Sequence, residues 1–186
     1  MENNKTMRNT SVVGFLFTAV IGTLLHFAFE ASGGDLLVGV FSPVNESIWE
    51  HQKLLLVPVL LYAVVEYLVY GKDFPSFITV KVLSMICGML LIVCGYYTYT
   101  GIIGQRFIAV DVGLFYCATA LVYLMTYLLC RSGRYLTKES QSIAALLVLT
   151  VIILSFIYFT YHPPMLELFR DPVTEDFGIA ATLPYI

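Results

Sequence analysis

Charge is what this sequence has least of. Only 12% of its 186 residues are Asp, Glu, Lys or Arg, about half the share of a soluble domain, while 59% are hydrophobic and the mean hydropathy is +0.83. A water-soluble core of this size has no room for so much apolar surface, which leaves lipid as the solvent. Chemistry-bearing motifs are scarce too. There is no P-loop, no glycine-rich dinucleotide turn, no nucleophile elbow and no basic stripe, so nucleotide chemistry and nucleic-acid binding are not expected. The four cysteines, Cys87, Cys94, Cys117 and Cys130, all fall inside apolar runs without C-x-x-C spacing, which argues against a zinc cluster or redox pair and for small buried hydrophobes. Nor is there an internal repeat of the kind that marks duplicated transporters.

What is present is long apolar runs. Five qualify, from about Val12 to Ala31, Ile48 to Tyr70, Ser76 to Tyr99, Phe107 to Cys130 and Gln141 to Tyr161, each close to or above the ~20 residues that cross a hydrocarbon layer. A backbone in lipid must satisfy its own hydrogen bonds, and these runs lack the alternation of barrel strands, so an all-α bundle of about five transmembrane helices is expected, forming one membrane domain over residues 1–186. The first run is too long for a signal-peptide core and is kept as an anchor. The nine residues before Thr10 are polar and read as a frayed terminus. Gly14 and Gly22 suit close helix packing, Pro58 predicts a bend in the second helix, and Glu66, near that helix's end, is expected to snorkel or to pair with Lys72 or Lys81.

Loop charges give an orientation. With the N-terminus inside, Lys5, Arg8, Lys72, Lys81, Arg131, Arg134 and Lys138 are cytoplasmic and Lys53, Arg106 and Arg170 are not, seven against three in the direction that basic residues favour. Glu30, Asp35, Glu46, Glu50, Asp111, Glu167, Asp171, Glu175 and Asp176 then share the extracytoplasmic face with the C-terminal tail, 162–186, and with all three histidines, His26, His51 and His162. Three histidines from three segments meeting at one face suggest one site.

His26 and Glu30 are four apart and would share a helical face. In Phe41-Ser42-Pro43-Val44-Asn45-Glu46-Ser47-Ile48-Trp49-Glu50-His51, Ser42 or Asn45 is a candidate cap, Pro43 suits a first turn, and Glu46 suits the positive end of the helix dipole. Glu46 and Glu50 are also four apart and would repel unless a cation or proton lies between them. Candidate metal ligands are therefore His26, Glu30, Glu50 and His51, with Glu46 and Glu50 as candidate catalytic carboxylates and Asn45, Tyr99, Asp111 and His162 completing the pocket. Asp111, about one turn into the fourth helix, needs a partner at that depth, and Arg106 is the nearest. Tyr96, Tyr97 and Tyr99 read as an interfacial aromatic belt. A divalent ion such as Zn²⁺ that activates water against a lipid-linked or envelope substrate is one reading. Proton- or cation-coupled transport is a second. A non-catalytic subunit that docks another membrane protein through its tail is a third.

Three stretches resemble a family of small bacterial multi-pass membrane proteins that carry a domain of unknown function: Leu25-His26-Phe27 through Glu30 with the Phe41-to-His51 segment; Tyr97-Thr98-Tyr99-Thr100-Gly101 with Asp111; and His162-Pro163-Pro164 through Leu168-Phe169-Arg170-Asp171-Pro172-Val173-Thr174 with Gly178. The resemblance implies a protein of the bacterial cell membrane with its signature at the extracytoplasmic face. The family pattern commonly has glycine after the threonine, where this chain has Glu175.

Overall fold

A computed structural model of the protein describes residues 2–132 and 139–179. Arg134 and Lys138, both used in the charge count, lie outside the described residues, as does the end of the tail, 180–186.

The described residues form an all-α structure without a strand. Only a lone antiparallel bridge, Arg170 to Phe177, joins extended backbone. The helices are α1 (Glu2–Leu25), the short α2 (Ala28–Ala31), α3 (Leu36–Phe41) and α4 (Ile48–His51), then α5 (Lys53–Val69), α6 (Phe77–Ile103), α7 (Ile108–Ser132) and α8 (Glu139–Tyr161). Five stretches are long and apolar enough to cross a membrane, with α4 and α5 counting as one because only Gln52 separates them. Successive crossings alternate in direction. One end of the bundle therefore holds the link from α1 to α5, the link from α6 to α7 and the C-terminal segment, and is called here the histidine end. The opposite end holds the start of α1, the link from α5 to α6 and the last turn of α7.

α1 packs on α5 and α7, while α6 packs on α7, α8 and α5. The core runs through the middle of the bundle as Leu55, Val59 and Tyr62 of α5, Met85 and Ile92 of α6, Val122 and Tyr123 of α7 and Phe156 of α8. Helices in lipid gain nothing from hiding apolar surface from each other, so close backbone approach must supply the packing energy. Gly22 is where it does. Pro58 has no N–H, which leaves the Leu54 carbonyl without its helical donor, and α1 passes so near that a Cβ on Gly22 would stand 2.5 Å from the Leu54 oxygen. A side chain at this position would collide with that carbonyl, so glycine is what lets α1 come so close.

Several expectations need correction. The N-terminal residues are not frayed: α1 begins at Glu2, and Met7 is completely buried against Tyr70, Phe77, Val80 and Cys130. α1 also ends at Leu25, six residues before the expected limit, because the chain turns at His26 and Phe27 before α2. α6 runs on to Ile103, where Gly104, at φ +80°, caps it. The cysteines are unpaired as expected, but only Cys130 is buried, while Cys94 and Cys117 face outward among apolar side chains. Glu66 takes Lys81, not Lys72, at 2.5 Å, and Tyr70 donates to its other oxygen at 2.8 Å. Burial, and then the neighbouring Glu66 charge, hold the Tyr70 phenol well above its ordinary pKa.

Candidate metal centre

The local sequence builds this site from its loops. The chain leaves α3 in an extended stretch, and Ser47, not Ser42 or Asn45, caps α4: its hydroxyl accepts the Glu50 N–H at 3.3 Å. Asn45 turns the loop by accepting the Ser47 N–H at 2.9 Å and reaches across to donate to the Gly178 carbonyl at 3.0 Å. Gly178 needs the left-handed backbone it adopts, φ +60°, and has Pro163 packed where a side chain would go. Asp171 fastens the same loop by accepting the Glu46 N–H at 3.0 Å, while its other oxygen accepts from Val173 and Thr174. Trp49 completes the closure by stacking on Phe156 and lying against Phe159 and Phe169. The Phe41-to-His51 segment and the tail are thus one structure.

Because α4 starts at Ile48, Glu46 is not on a helix, and the expected repulsion between Glu46 and Glu50 does not arise. The two carboxylates point to different cations. Glu50 turns inward and is 3% exposed; its Oε2 accepts from Lys53 Nζ at 2.6 Å and from the Val44 N–H at 3.1 Å. Lys53, fully buried, also donates to Thr160 Oγ1 at 2.6 Å and to the Gly39 carbonyl at 2.7 Å. This pair bolts α3, α4, α5 and α8 together.

Glu46 stays at the rim, 35% exposed, between both histidines. Its Oε1 lies 3.8 Å from His26 Nε2 and its Oε2 3.7 Å from His51 Nε2. The three ligand atoms of His26, Glu46 and His51 fall within 4.8 Å of one another, and the two imidazoles lie with ring centres 5.2 Å apart, tilted by 51°. Both imidazole-to-carboxylate gaps are too long for hydrogen bonds. They approach the spacing of about 3.3 to 3.6 Å that neighbouring donors adopt around a tetrahedral ion with bonds of ~2.0 to 2.2 Å. His51 is set up for that role. Its Nδ1 is 3.0 Å from the Ser47 carbonyl, and since a carbonyl only accepts, Nδ1 carries the proton and the Nε2 lone pair is left for a ligand. His26 Nδ1 is buried without a hydrogen-bond partner among the described residues.

Behind the triad, Arg106 donates to Glu46 Oε2 at 3.0 Å and to Asp111 Oδ2 at 2.8 Å, and Tyr99 donates to Asp111 Oδ1 at 2.5 Å. Burial works against the charge on Arg106, but the hydrogen bonds to Asp111 and Glu46 outweigh it and hold its pKa above the ordinary value. Tyr99 is therefore more than belt: it fixes the carboxylate that fixes the arginine. A cleft of about 620 Å³ opens beside His26 and Glu46, walled by Phe29, Glu30, Val44, Asn45 and Asp171. A small cavity of about 50 Å³ lies on the other side, lined by His51, Tyr96, Arg106 and Asp111.

Of the residues singled out from the sequence, His26, Glu46 and His51 converge, and Asn45, Asp111 and Tyr99 brace the loop or its arginine. Glu30 is exposed on the cleft wall without an ion pair among the described residues, and the turn at His26 and Phe27 takes the two residues off one continuous helix, although both line the cleft. Glu50 is taken by Lys53. His162 stacks on Tyr158 at 5.0 Å, stays exposed and lines neither the cleft nor the small cavity. Sequence reasoning missed the bridge from Arg106 to Glu46, which joins positions sixty residues apart. It also missed the role of Lys53, although its place three residues after Glu50 was a readable signal.

One protein-family model, described as a family of unknown function (DUF6512), matches residues 1–179. No curated protein and no solved structure matches the chain.

Proposed function

The chain belongs to the DUF6512 family, a family of unknown function, and from that premise we propose that it is a multi-pass membrane metalloprotein of the bacterial cell membrane that hydrolyses a lipid-linked or envelope substrate. His26, Glu46 and His51 would hold a divalent ion such as Zn²⁺. Two imidazoles, one carboxylate and an open fourth position make up the ligand set of a hydrolytic zinc site, where the ion lowers the pKa of bound water and polarises a carbonyl. The observation that carries this reading is the pair of gaps at Glu46, 3.8 and 3.7 Å, too long for direct bonding and suited to a shared ion.

Glu30 is the carboxylate available on the cleft wall to accept the proton of an attacking water. Besides His26, the cleft lining carries Glu30, Glu46 and Asp171 but neither lysine nor arginine, which favours a substrate with a neutral or cationic group beside the scissile bond. Orientation follows from charge. Lys5, Arg8, Lys72 and Arg131 stand at the opposite end, whereas Lys53 and Lys81 are withdrawn into buried pairs, so the bias that puts the N-terminus in the cytoplasm and the histidine end outside survives the removal of both.

Cation or proton transport has less support, because the carboxylates buried in the bundle, Glu50 and Glu66, each hold their own lysine. Docking through the tail also has less, since residues 162–179 are engaged with the 43–47 loop. The test is elemental analysis of detergent-purified protein beside His26→Ala, Glu46→Ala and His51→Ala variants. About one zinc per chain in the parent and none in the variants is expected, followed by ester or amide hydrolysis that Glu30→Gln abolishes without loss of metal. Absence of stoichiometric metal in the parent, or its retention in all three variants, would sink the proposal.

A further inference from the structure

At the opposite end of the bundle, far along α1 and α7 from the histidines, a second cavity of about 400 Å³ is lined by Arg8, Ser11, Val12 and Phe15 of α1 and by Ala120, Tyr123, Leu124 and Tyr127 of α7. Both sets repeat at i, i+3, i+4 and i+7, so each is one continuous helical face. Together they form a two-turn trough roughly 10 Å long. Its depth comes from size: Ser11 and Ala120 are small, while Phe15, Tyr123 and Tyr127 stand up around them.

The trough is apolar in effect, because the hydroxyls of both its tyrosines are engaged elsewhere. The Tyr123 hydroxyl is 2.8 Å from Thr18 Oγ1, and Tyr127 accepts from Arg131 Nη1 at 3.0 Å. Charge gathers at one end only. Arg8 lines the trough, and the Arg131 guanidinium leans over the Tyr127 ring, 5.8 Å from its centre. No carboxylate pairs with Arg8 or Arg131 among the described residues, although every arginine at the histidine end has an acidic partner. Arg8 lies near the beginning of its crossing and Arg131 near the end of its own, so both stand at the depth of lipid headgroups on one side of the membrane.

We propose that this trough is a binding site for an anionic phospholipid, with an acyl chain lying between α1 and α7 and the phosphate held by Arg8 and Arg131. An apolar channel that ends in two guanidiniums without a carboxylate partner among the described residues matches a lipid with a negative headgroup better than a zwitterionic one or a second protein helix. Arginine suits phosphate because its planar fork offers two parallel donors. Basic clusters at the cytoplasmic ends of membrane helices attract anionic lipid in this way. The site is independent of the metal centre and stands or falls without it.

The test is native mass spectrometry of the full chain in detergent, titrated with phosphatidylglycerol and with phosphatidylcholine of identical acyl chains. Phosphatidylglycerol is expected to bind about tenfold or more tightly. Arg8→Gln with Arg131→Gln brings it to the phosphatidylcholine level, and Ala120→Phe, which fills the trough, weakens both. Should the Gln pair shift the unfolding midpoint, Arg8→Lys with Arg131→Lys replaces it and must keep a preference for the anionic lipid. Equal binding of the two lipids by the parent overturns the proposal, as does a preference that survives loss of both charges. So does a dimer in the parent that Ala120→Phe dissolves, since a second copy would then fill the trough.

Discussion

Glu46 and Glu50 stand four residues apart and belong to two different kinds of region. Glu50 is sealed in the bundle, with lysine, threonine and backbone groups completing it. Glu46 stands at the rim with two imidazoles beyond hydrogen-bond length and one arginine behind it. The first region is finished and the second is not. A buried carboxylate in lipid must find its cation inside the protein, because the alternative is an uncompensated charge. A carboxylate at the rim has water and ions within reach and can remain available to a ligand. The buried Glu66–Lys81 pair near the other end of α5 follows the first pattern.

The sharpest way to break this contrast is to remove Lys53. Lys53→Ala should destabilise the fold by about 3–5 kcal/mol, because Glu50 is left buried and unpaired, as read from the denaturation midpoint in detergent. Glu50→Leu combined with Lys53→Met should recover most of that loss. If Lys53→Ala proved neutral, Glu50 would not be sealed at all.

The rim should respond in the opposite sense, losing ligand rather than stability. Saturating zinc should raise the stability of the parent by about 2.7 kcal/mol at a hundred times the dissociation constant. Glu46→Ala or His51→Ala should abolish that increment with little change in the metal-free midpoint. The increment should also shrink on acidification, because imidazoles ligate only when neutral. A zinc increment that persists in Glu46→Ala would move the ion elsewhere.

Ser47→Ala touches both regions at once, since Ser47 caps α4 and its carbonyl orients His51. Loss of the cap should cost about 1 kcal/mol. The carbonyl remains, so zinc affinity should fall by less than it does in the ligand variants. A variant that lost stability and metal together would couple the two regions more tightly than their contacts imply.

The smallest effect is expected at Glu175. Glu175 sits at φ +66°, a conformation that costs a residue with a Cβ roughly 1–2 kcal/mol. Glu175→Gly should therefore stabilise the tail by up to about 1 kcal/mol, after loss of an exposed contact with Arg170 and the greater freedom of glycine in the unfolded chain. Protection of the tail from proteolysis would report it.

Composition and run length were enough to read the solvent, the fold class and five stretches long enough to cross a membrane. Runs of twenty apolar residues allow only backbones that satisfy themselves, and that requirement is local. The count of runs also determined which end of the bundle carries the histidines, because five crossings fix the alternation of the loops. Residue spacing fixed less. It joined His26 to Glu30 and Glu46 to Glu50 through a helical period that the backbone does not keep at either place, since α1 turns at His26 and α4 starts only at Ile48. Which carboxylate faces the histidines, and which faces Lys53, depends on how the loop before α4 is tied to Asp171 and Gly178 more than a hundred residues away. That choice is made when the distant segments meet, because local propensity carries no information about which of them will supply the other half of a hydrogen bond.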